Sequence, residues 1–459
     1  MRRLTGIILV LMVSATLLGF AEGKQEQPTG PVKLLFWTHE DKNRETLEGQ
    51  FIKEFQEQNP TVTVERVLYP STKIQEATLT AFAANQGPDF FNMAIEDEYQ
   101  YIANNRVAPV IPEAAGYAST TAIVNAYIAN VLDPVTVKGK IYGLPLELTN
   151  WCIYVNKKIF RDAGLDPDKD YPKTWEDMMA VSEKIVQRNG DIITRRGFDF
   201  RYPYYLTILV PMVEQLGGKL ISDDGKDLII GDAAWTKVLD FFKTWGPNGK
   251  NLGAPTYKNA RSLWNFDKNE VAMCSTGLYQ QGRMRTDNAA FFNSSDWMVI
   301  PYPQFKDEKK KVAACYYGHY YMVNAQKPAA NQYAAWKLIG FMLSHPEDYL
   351  EKVALPQPTK KLMASEKFTS MPFSKVFAAD MARAHVVYYG ANSAQLQNLI
   401  RTAVEAVMLN KVPTDQALAA LVYAFPADRL VVRFKFSRDL AAGAVLGREL
   451  LDAIRRRGQ

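Results

Sequence analysis

The chain has 459 residues, 47% apolar and 22% charged, the composition of a folded globular protein and not of a disordered or fibrous one. That length exceeds one ordinary core, so two domains are expected. The net charge of +5 is small for the size and argues against a nucleic-acid binder, which would carry a concentrated basic face.

The chain opens as an export signal. Arg2 and Arg3 precede an apolar stretch from Ile7 to Phe20, and Gly19-Phe20-Ala21 offers small residues at both cleavage-determining positions. Residues 1–21 therefore read as a signal peptide cut after Ala21. The alternative is an uncleaved anchor, but the run falls short of the roughly 20 apolar residues a span needs. A polar linker, residues 22–31, follows at once, and no Cys stands near the cut to carry a lipid.

Beyond the linker, Val32–Trp37 is a short apolar run that reads as a buried strand. From Asn43 to Gln58, Leu47, Phe51, Ile52 and Phe55 share one helical face, and Asn59-Pro60 stops the helix. Thr61–Leu68 alternates around Val62 and Val64 as a second strand. Strand, helix, strand is the unit that builds a parallel sheet. Ile74–Asn85 continues as helix and Asp89–Met93 as strand, while Gly190, Gly217-Gly218 and Gly246 punctuate later elements. The expected class is α/β, with ligands beyond the carboxyl ends of strands. In Pro172-Lys173-Thr174-Trp175-Glu176-Asp177, Thr174 can cap a helix and Asp177 can close a capping box.

Cys152, Cys274 and Cys315 make an odd, sparse set that excludes a disulfide framework and has no zinc spacing. Buried thiols are the simpler reading, with one bridge open as an alternative in an oxidising compartment. The tail differs in composition. Through residue 420 the chain has 31 Lys and 15 Arg; from 421 onward it has one Lys and seven Arg. A foreign, frameshifted or appended basic end fits that shift, with a helix around Leu440–Ile454 and no function assigned.

Several segments in order resemble family 1 extracellular solute-binding proteins, the sugar-binding group that includes the maltose-binding proteins. Leu35-Phe36-Trp37, then Phe51-Ile52-Lys53-Glu54-Phe55 and Asn59-Pro60, fit its opening strand and helix. Gly87-Pro88-Asp89-Phe90 fits its turn into a strand, and Lys138 to Pro145 its crossover. Tyr154-Val155-Asn156-Lys157-Lys158, Ala163-Gly164-Leu165 with Pro172 to Asp177, Phe266 with Ala272-Met273 and Gly277, and Ala335-Trp336-Lys337-Leu338-Ile339 fit later motifs. Together they cover about residues 32 to 422. Asn269 departs from the family's usual Gly, in a residue type that tolerates positive φ.

The resemblance implies two lobes of type II periplasmic-binding-protein fold, each a mostly parallel sheet flanked by helices, joined by hinge crossovers that close on a solute. It places the first lobe at 32–143 plus 323–354, the second at 144–322 plus 355–422, and the basic tail at 423–459. It further implies a periplasmic monomer that delivers a mono- or oligosaccharide to the permease subunits of an ATP-driven importer, without chemistry or cofactor. Ligand roles carry over to Trp37, His39, Glu40 and Asp41 after the first strand; Glu96 and Asp97 after the third; and Glu147, Thr149 and Asn150 past the first crossover. They extend to Tyr202 and Tyr204, to Gly277 and Tyr279, and to Tyr317 and His319.

The residue types suit a polyol: carboxylates accept hydrogen bonds from hydroxyls, and rings give apolar contact and orientation. Plainer readings stand beside each. Trp37 ends a buried strand and can be core, His39 and Glu40 can be solvated, and one face of the 202–205 run can be packing. A glycoside hydrolase would need two carboxyl groups across a bond, for which Glu96, Asp97 and Glu147 are candidates. The four His, at 39, 319, 345 and 385, show no zinc-hydrolase spacing, and no GxSxG elbow appears. A non-sugar solute and a structural surface role complete the alternatives.

Overall fold

The computed structural model describes residues 30–71, 73–200, 205–220, 229–255, 270–386 and 393–424. The signal segment, the basic tail beyond residue 424, Tyr202, Tyr204, Phe266 and Asn269 lie outside them. Strand β1, Val32–His39, buries Val32, Leu34, Phe36 and Thr38 on one face. Helix α1, Lys42–Gln58, starts where the Asp41 side chain accepts the Arg44 N–H, and it buries Leu47, Phe51, Ile52 and Phe55 as the periodicity predicts. Strand β2, Val62–Tyr69, returns parallel to β1, in register from Val32↔Val62 to His39↔Tyr69. Helix α2, Ile74–Ala83, then leads through Gly87-Pro88 into β3, Phe90–Ala94, on the other side of β1. Asp89 of that turn accepts the Leu35 N–H at 2.7 Å and the Asn331 amide at 2.8 Å. The motif ties β1 to the helix beyond it; it is structural.

The first sheet has the order β2-β1-β3-β13-β4, with β7 paired to β13. Here β4 is Val107–Ala108, β5 Thr136–Val137, β6 Lys140–Ile141, β7 Leu144–Asn150 and β13 Tyr316–Asn324; β5 and β6 form a separate ribbon. The second sheet has the order β12-β8-β11-β10-β9, with β8 Cys152–Asn156, β9 Gln187–Asn189, β10 Ile192–Asp199, β11 Val271–Thr276 and β12 Trp297–Ile300. Helix α3, Trp175–Ile185, and α4, Ala233–Trp245, flank the second sheet, and α6, Ala329–Leu343, flanks the first. Between α4 and α6, α5 spans Tyr279–Asp287.

Each sheet has its own core. Phe36 stacks on Phe90 at 4.3 Å in the first; Trp175, Phe198, Phe200, Trp245 and Tyr302 interlock in the second. The α/β class with two sheets is as expected. Strand directions differ, because among the described strands only β1–β2, β1–β3 and β10–β11 pair in parallel. β13 is antiparallel to β3, β4 and β7, and β8 to β11 and β12. A fully buried apolar run reads the same in either direction, so the sequence pattern carries no direction.

The expected breaks at 143/144 and 322/323 move. β7 pairs with β13 from Tyr316↔Asn150 to Tyr321↔Leu144, so both strands belong to the first sheet. The chain crosses at Trp151, which alone separates β7 from β8, and returns just before Tyr316. A third described connection follows the helical turn Tyr349–Val353. Ala354 there takes φ +61°, and Pro356 and Pro358 accept the N–H groups of Leu148 and Ile128, each at 3.0 Å.

All three cysteines are free and buried. Among the described residues no helix is long and apolar enough to cross a membrane. The capping box forms at α3: Thr174 Oγ1 accepts the Asp177 N–H at 3.0 Å, and Asp177 Oδ2 accepts the Thr174 N–H at 3.2 Å. Thr174→Ala is expected to lower stability by about 1 kcal/mol, read as a lower urea midpoint with an unchanged slope; an unchanged midpoint contradicts that role.

Candidate functional site

Strand pairing builds the centre of the site. β13 and β7 oppose Tyr317 to Thr149 and His319 to Glu147, and the register slips by one between His319 and Tyr320. Glu147 Oε1 lies 2.9 Å from His319 Nδ1, with the two residues only 3% and 6% exposed. Glu147 Oε2 is buried and has no hydrogen-bond partner among the described residues. A buried carboxylate oxygen left unpaired is costly, so this oxygen is an acceptor poised for a donor.

Rings surround it. His39, at the carboxyl end of β1, lies 4.3 Å from His319 between ring centroids. Tyr317 meets His319 edge-on at 5.2 Å, and its own ring is 5.7 Å from Tyr279 and 5.3 Å from the buried Trp151. Tyr279 comes from the other sheet, as the first residue of α5 after β11. The turn between them is tight: Leu278 N–H donates to Thr149 Oγ1 at 3.2 Å, and Tyr154 donates to the Gly277 carbonyl at 3.2 Å. A Cβ on Gly277 would lie 2.5 Å from the Thr149 methyl, so only glycine lets the two sheets approach here.

Two arginines complete the walls. Arg44, one turn into α1, is buried and donates to Thr38 Oγ1 at 2.7 Å and to the His39 carbonyl, with Glu48 3.6 Å away. Arg283, on α5, donates to Asp41 Oδ2 at 2.6 Å. The cavity bounded by His39, Asp41, Arg44, Glu147, Tyr279, Arg283, Tyr317, His319 and Leu355 measures about 20 Å³, room for a water molecule.

Of the residues expected to meet, His39, Asp41, Glu147, Tyr279, Tyr317 and His319 converge on this cavity. The other candidates among the described residues do not line it. Trp37 packs on Tyr69 at 4.9 Å, and Glu40 is exposed, its N–H bonded to the Tyr69 carbonyl. Asp97 accepts from Gln75 at 2.5 Å. Asn150 is fully buried and contacts the Cys152 sulfur at 3.5 Å. Gly277 serves packing, and Thr149 supports the α5 turn.

Arg44, Arg283, Trp151 and Leu355 were not anticipated. Arg283 had a legible signal, since it stands four residues after Tyr279 and so shares its helical face. Arg44 did not: its spacing to Glu48 is that of an ordinary surface pair.

Burial pushes the His39 imidazole well below its usual range, and the charges of Arg44, His319 and Arg283 push the same way. Burial opposes ionisation of Asp41, but Arg283 and Arg44 outweigh it and hold the carboxyl below its usual range. The run Glu96-Asp97-Glu98 behaves oppositely. Burial raises all three carboxyls, with Glu96 adding to the shift at Asp97, and Glu96 and Asp97 adding to that at Glu98.

A profile of the family described as bacterial extracellular solute-binding protein matches residues 50–372. The chain is 21% identical to the maltotriose-binding protein of Pyrococcus abyssi over 325 residues, covering 70% of this chain and 65% of that one. It is 24% identical to the arabinooligosaccharide-binding protein of Halalkalibacterium halodurans over 223 residues, covering 46% and 45%. The chain thus spans about half to two thirds of the length of these curated relatives. Among solved structures, a solute-binding protein of an ABC transporter from Thermotoga lettingae, bound with α-D-tagatose, superposes with a TM-score of 0.73 at 20% identity. That superposition covers 85% of this chain and 97% of the other, and it establishes the fold.

The raised Glu98 carboxyl has a consequence for stability. The folded chain keeps a proton that the unfolded chain releases above about pH 4.3, so stability falls as pH climbs from about 4 towards the folded-state pKa. Glu98→Gln is expected to raise the melting temperature at pH 7 and leave it unchanged at pH 4. A thermal unfolding series across that range checks this, and equal shifts at both pH values contradict it.

Proposed function

The chain belongs to the bacterial extracellular solute-binding protein family, and from that premise we propose that it captures a carbohydrate outside the cytoplasm for delivery to an ATP-driven membrane importer. The observation that carries the carbohydrate reading is the free Glu147 oxygen, buried among the rings of His39, His319, Tyr317 and Tyr279 where the two sheets meet. A carboxylate accepts from hydroxyl groups, each such bond contributing about 1.5–3 kcal/mol, and rings pack on the C–H faces of a sugar. A few such contacts reach the roughly 8 kcal/mol of a micromolar complex, after the cost of immobilising the ligand.

The charge balance favours a neutral guest. Each lining guanidinium already faces a carboxylate, Arg283 to Asp41 and Arg44 to Glu48. A strongly charged solute would leave one of these groups uncompensated in a largely buried site. The sugar ligands named for the relatives support the same class. In this reading the mature chain begins after Ala21, acts in the periplasm as a monomer, and meets the permease subunits with its ligand enclosed. It binds without transforming.

The test is calorimetry and tryptophan fluorescence on the mature chain against a panel of mono- and oligosaccharides, including maltotriose and arabino-oligosaccharides. One-to-one binding in the micromolar range is expected, with a fluorescence change because Trp151 sits at the crossover. Glu147→Gln is expected to weaken binding about ten- to a hundredfold. No response across the panel, or wild-type affinity in that variant, contradicts the reading. Hydrolysis of chromogenic glycosides that vanished with Glu147→Gln would replace capture by catalysis.

A further inference from the structure

We propose that Glu48, one turn beyond Arg44 on α1, is a positioning residue of the site: it holds the Arg44 guanidinium away from Glu147 and so keeps the Glu147 oxygen open to the ligand. The inference rests on the capture role proposed above. Arg44 and Glu147 line the same cavity, and Glu48 does not line it. A buried guanidinium and a carboxylate oxygen without a partner attract each other strongly. Their separation needs a cause, and Glu48 supplies it.

Glu48 is fully buried and held from three sides. Its Oε1 lies 3.6 Å from Arg44 Nε and accepts the Tyr321 hydroxyl at 2.6 Å. Its Oε2 lies 3.8 Å from Arg66 Nη1. The Tyr321 hydroxyl is itself 3.4 Å from that of Tyr349, on the turn that leads into the third crossing. The other groups that take the Arg44 side chain, Thr38 Oγ1 and the His39 carbonyl, are neutral. Burial works against the Arg44 charge. Glu48, ahead of Tyr321, Asp41 and Glu147, outweighs that burial and holds the guanidinium above its usual range.

Removing the Glu48 charge leaves a buried cation in search of a carboxylate, since an uncompensated buried charge is costly. Asp41 is already paired with Arg283. Glu147 lines the same cavity and has the oxygen without a partner among the described residues. Arg44 would turn to it, and a sugar hydroxyl would then have to displace a charge-assisted bond. Glu48 thus governs how free the acceptor is without touching the ligand.

The test is calorimetry with the sugar that the wild type binds best. Glu48→Gln keeps the shape and removes the charge, and it is expected to bind about tenfold more weakly. Glu48→Asp keeps the charge but draws it back by one methylene; a loss of about threefold is expected, and this variant serves where Glu48→Gln does not fold. Adding Arg44→Gln to whichever single variant folds is expected to recover most of the lost affinity, because the competing cation is gone. A merely structural role for Glu48 gives no such rescue. Wild-type affinity in the single variants, or a double variant that binds no better than its parent, overturns the proposal. If the wild type binds no sugar, the capture reading fails by itself. The positioning role is then read from a crystal structure of the folded single variant: Arg44 turned to Glu147 supports it, and Arg44 still on Thr38 and His39 overturns it.

Discussion

The pairing of β7 with β13 is the constraint on which the site depends. It sets a carboxylate opposite an imidazole across two neighbouring strands in the first sheet, and it holds both at the point where the chain leaves for the second. Glu147 satisfies one oxygen on His319 and leaves the other without a partner among the described residues. A buried acceptor of this kind is costly unless something donates to it, and in the proposed reading a sugar hydroxyl would be that donor. Because Trp151 alone separates β7 from β8, any rotation between the sheets is felt at the same place.

The two lobes contribute unlike things. The first supplies the fixed groups, His39, Glu147, Tyr317 and His319, on strands whose register is locked by long ladders. The second supplies Tyr279 and Arg283 on one helix that reaches across after a glycine turn. Acceptors on one side and a ring and cation on the other make a cleft whose shape depends on hinge angle. The three described crossings, rather than one, favour a rotation of one lobe against the other.

The sequence made local structure legible where one signal dominated. Leu47, Phe51, Ile52 and Phe55 share a helical face whatever surrounds them, and the Thr174–Asp177 capping box forms because its bonds span three residues. Strand direction was not legible, since buried runs such as Leu144–Asn150 carry no alternation, and that run also moved the lobe boundary. At the site, His319 and Glu147 were named separately, but 172 residues lie between them and only register brings them together. Trp37, Glu40, Asn150 and Gly277 were placed near the ligand by motif order. Their neighbours turned them to other work: Trp37 to Tyr69, Asn150 to Cys152, and Gly277 to a close approach of two chains. Arg44 was invisible because a buried arginine and a surface arginine look alike in a helix.

The most direct measurement is a crystal structure of the mature protein with a bound oligosaccharide. The account predicts a sugar hydroxyl within about 3 Å of Glu147 Oε2, with the rings of Tyr317 and Tyr279 against the sugar. A sugar held elsewhere, with that oxygen turned to water or protein, would contradict it.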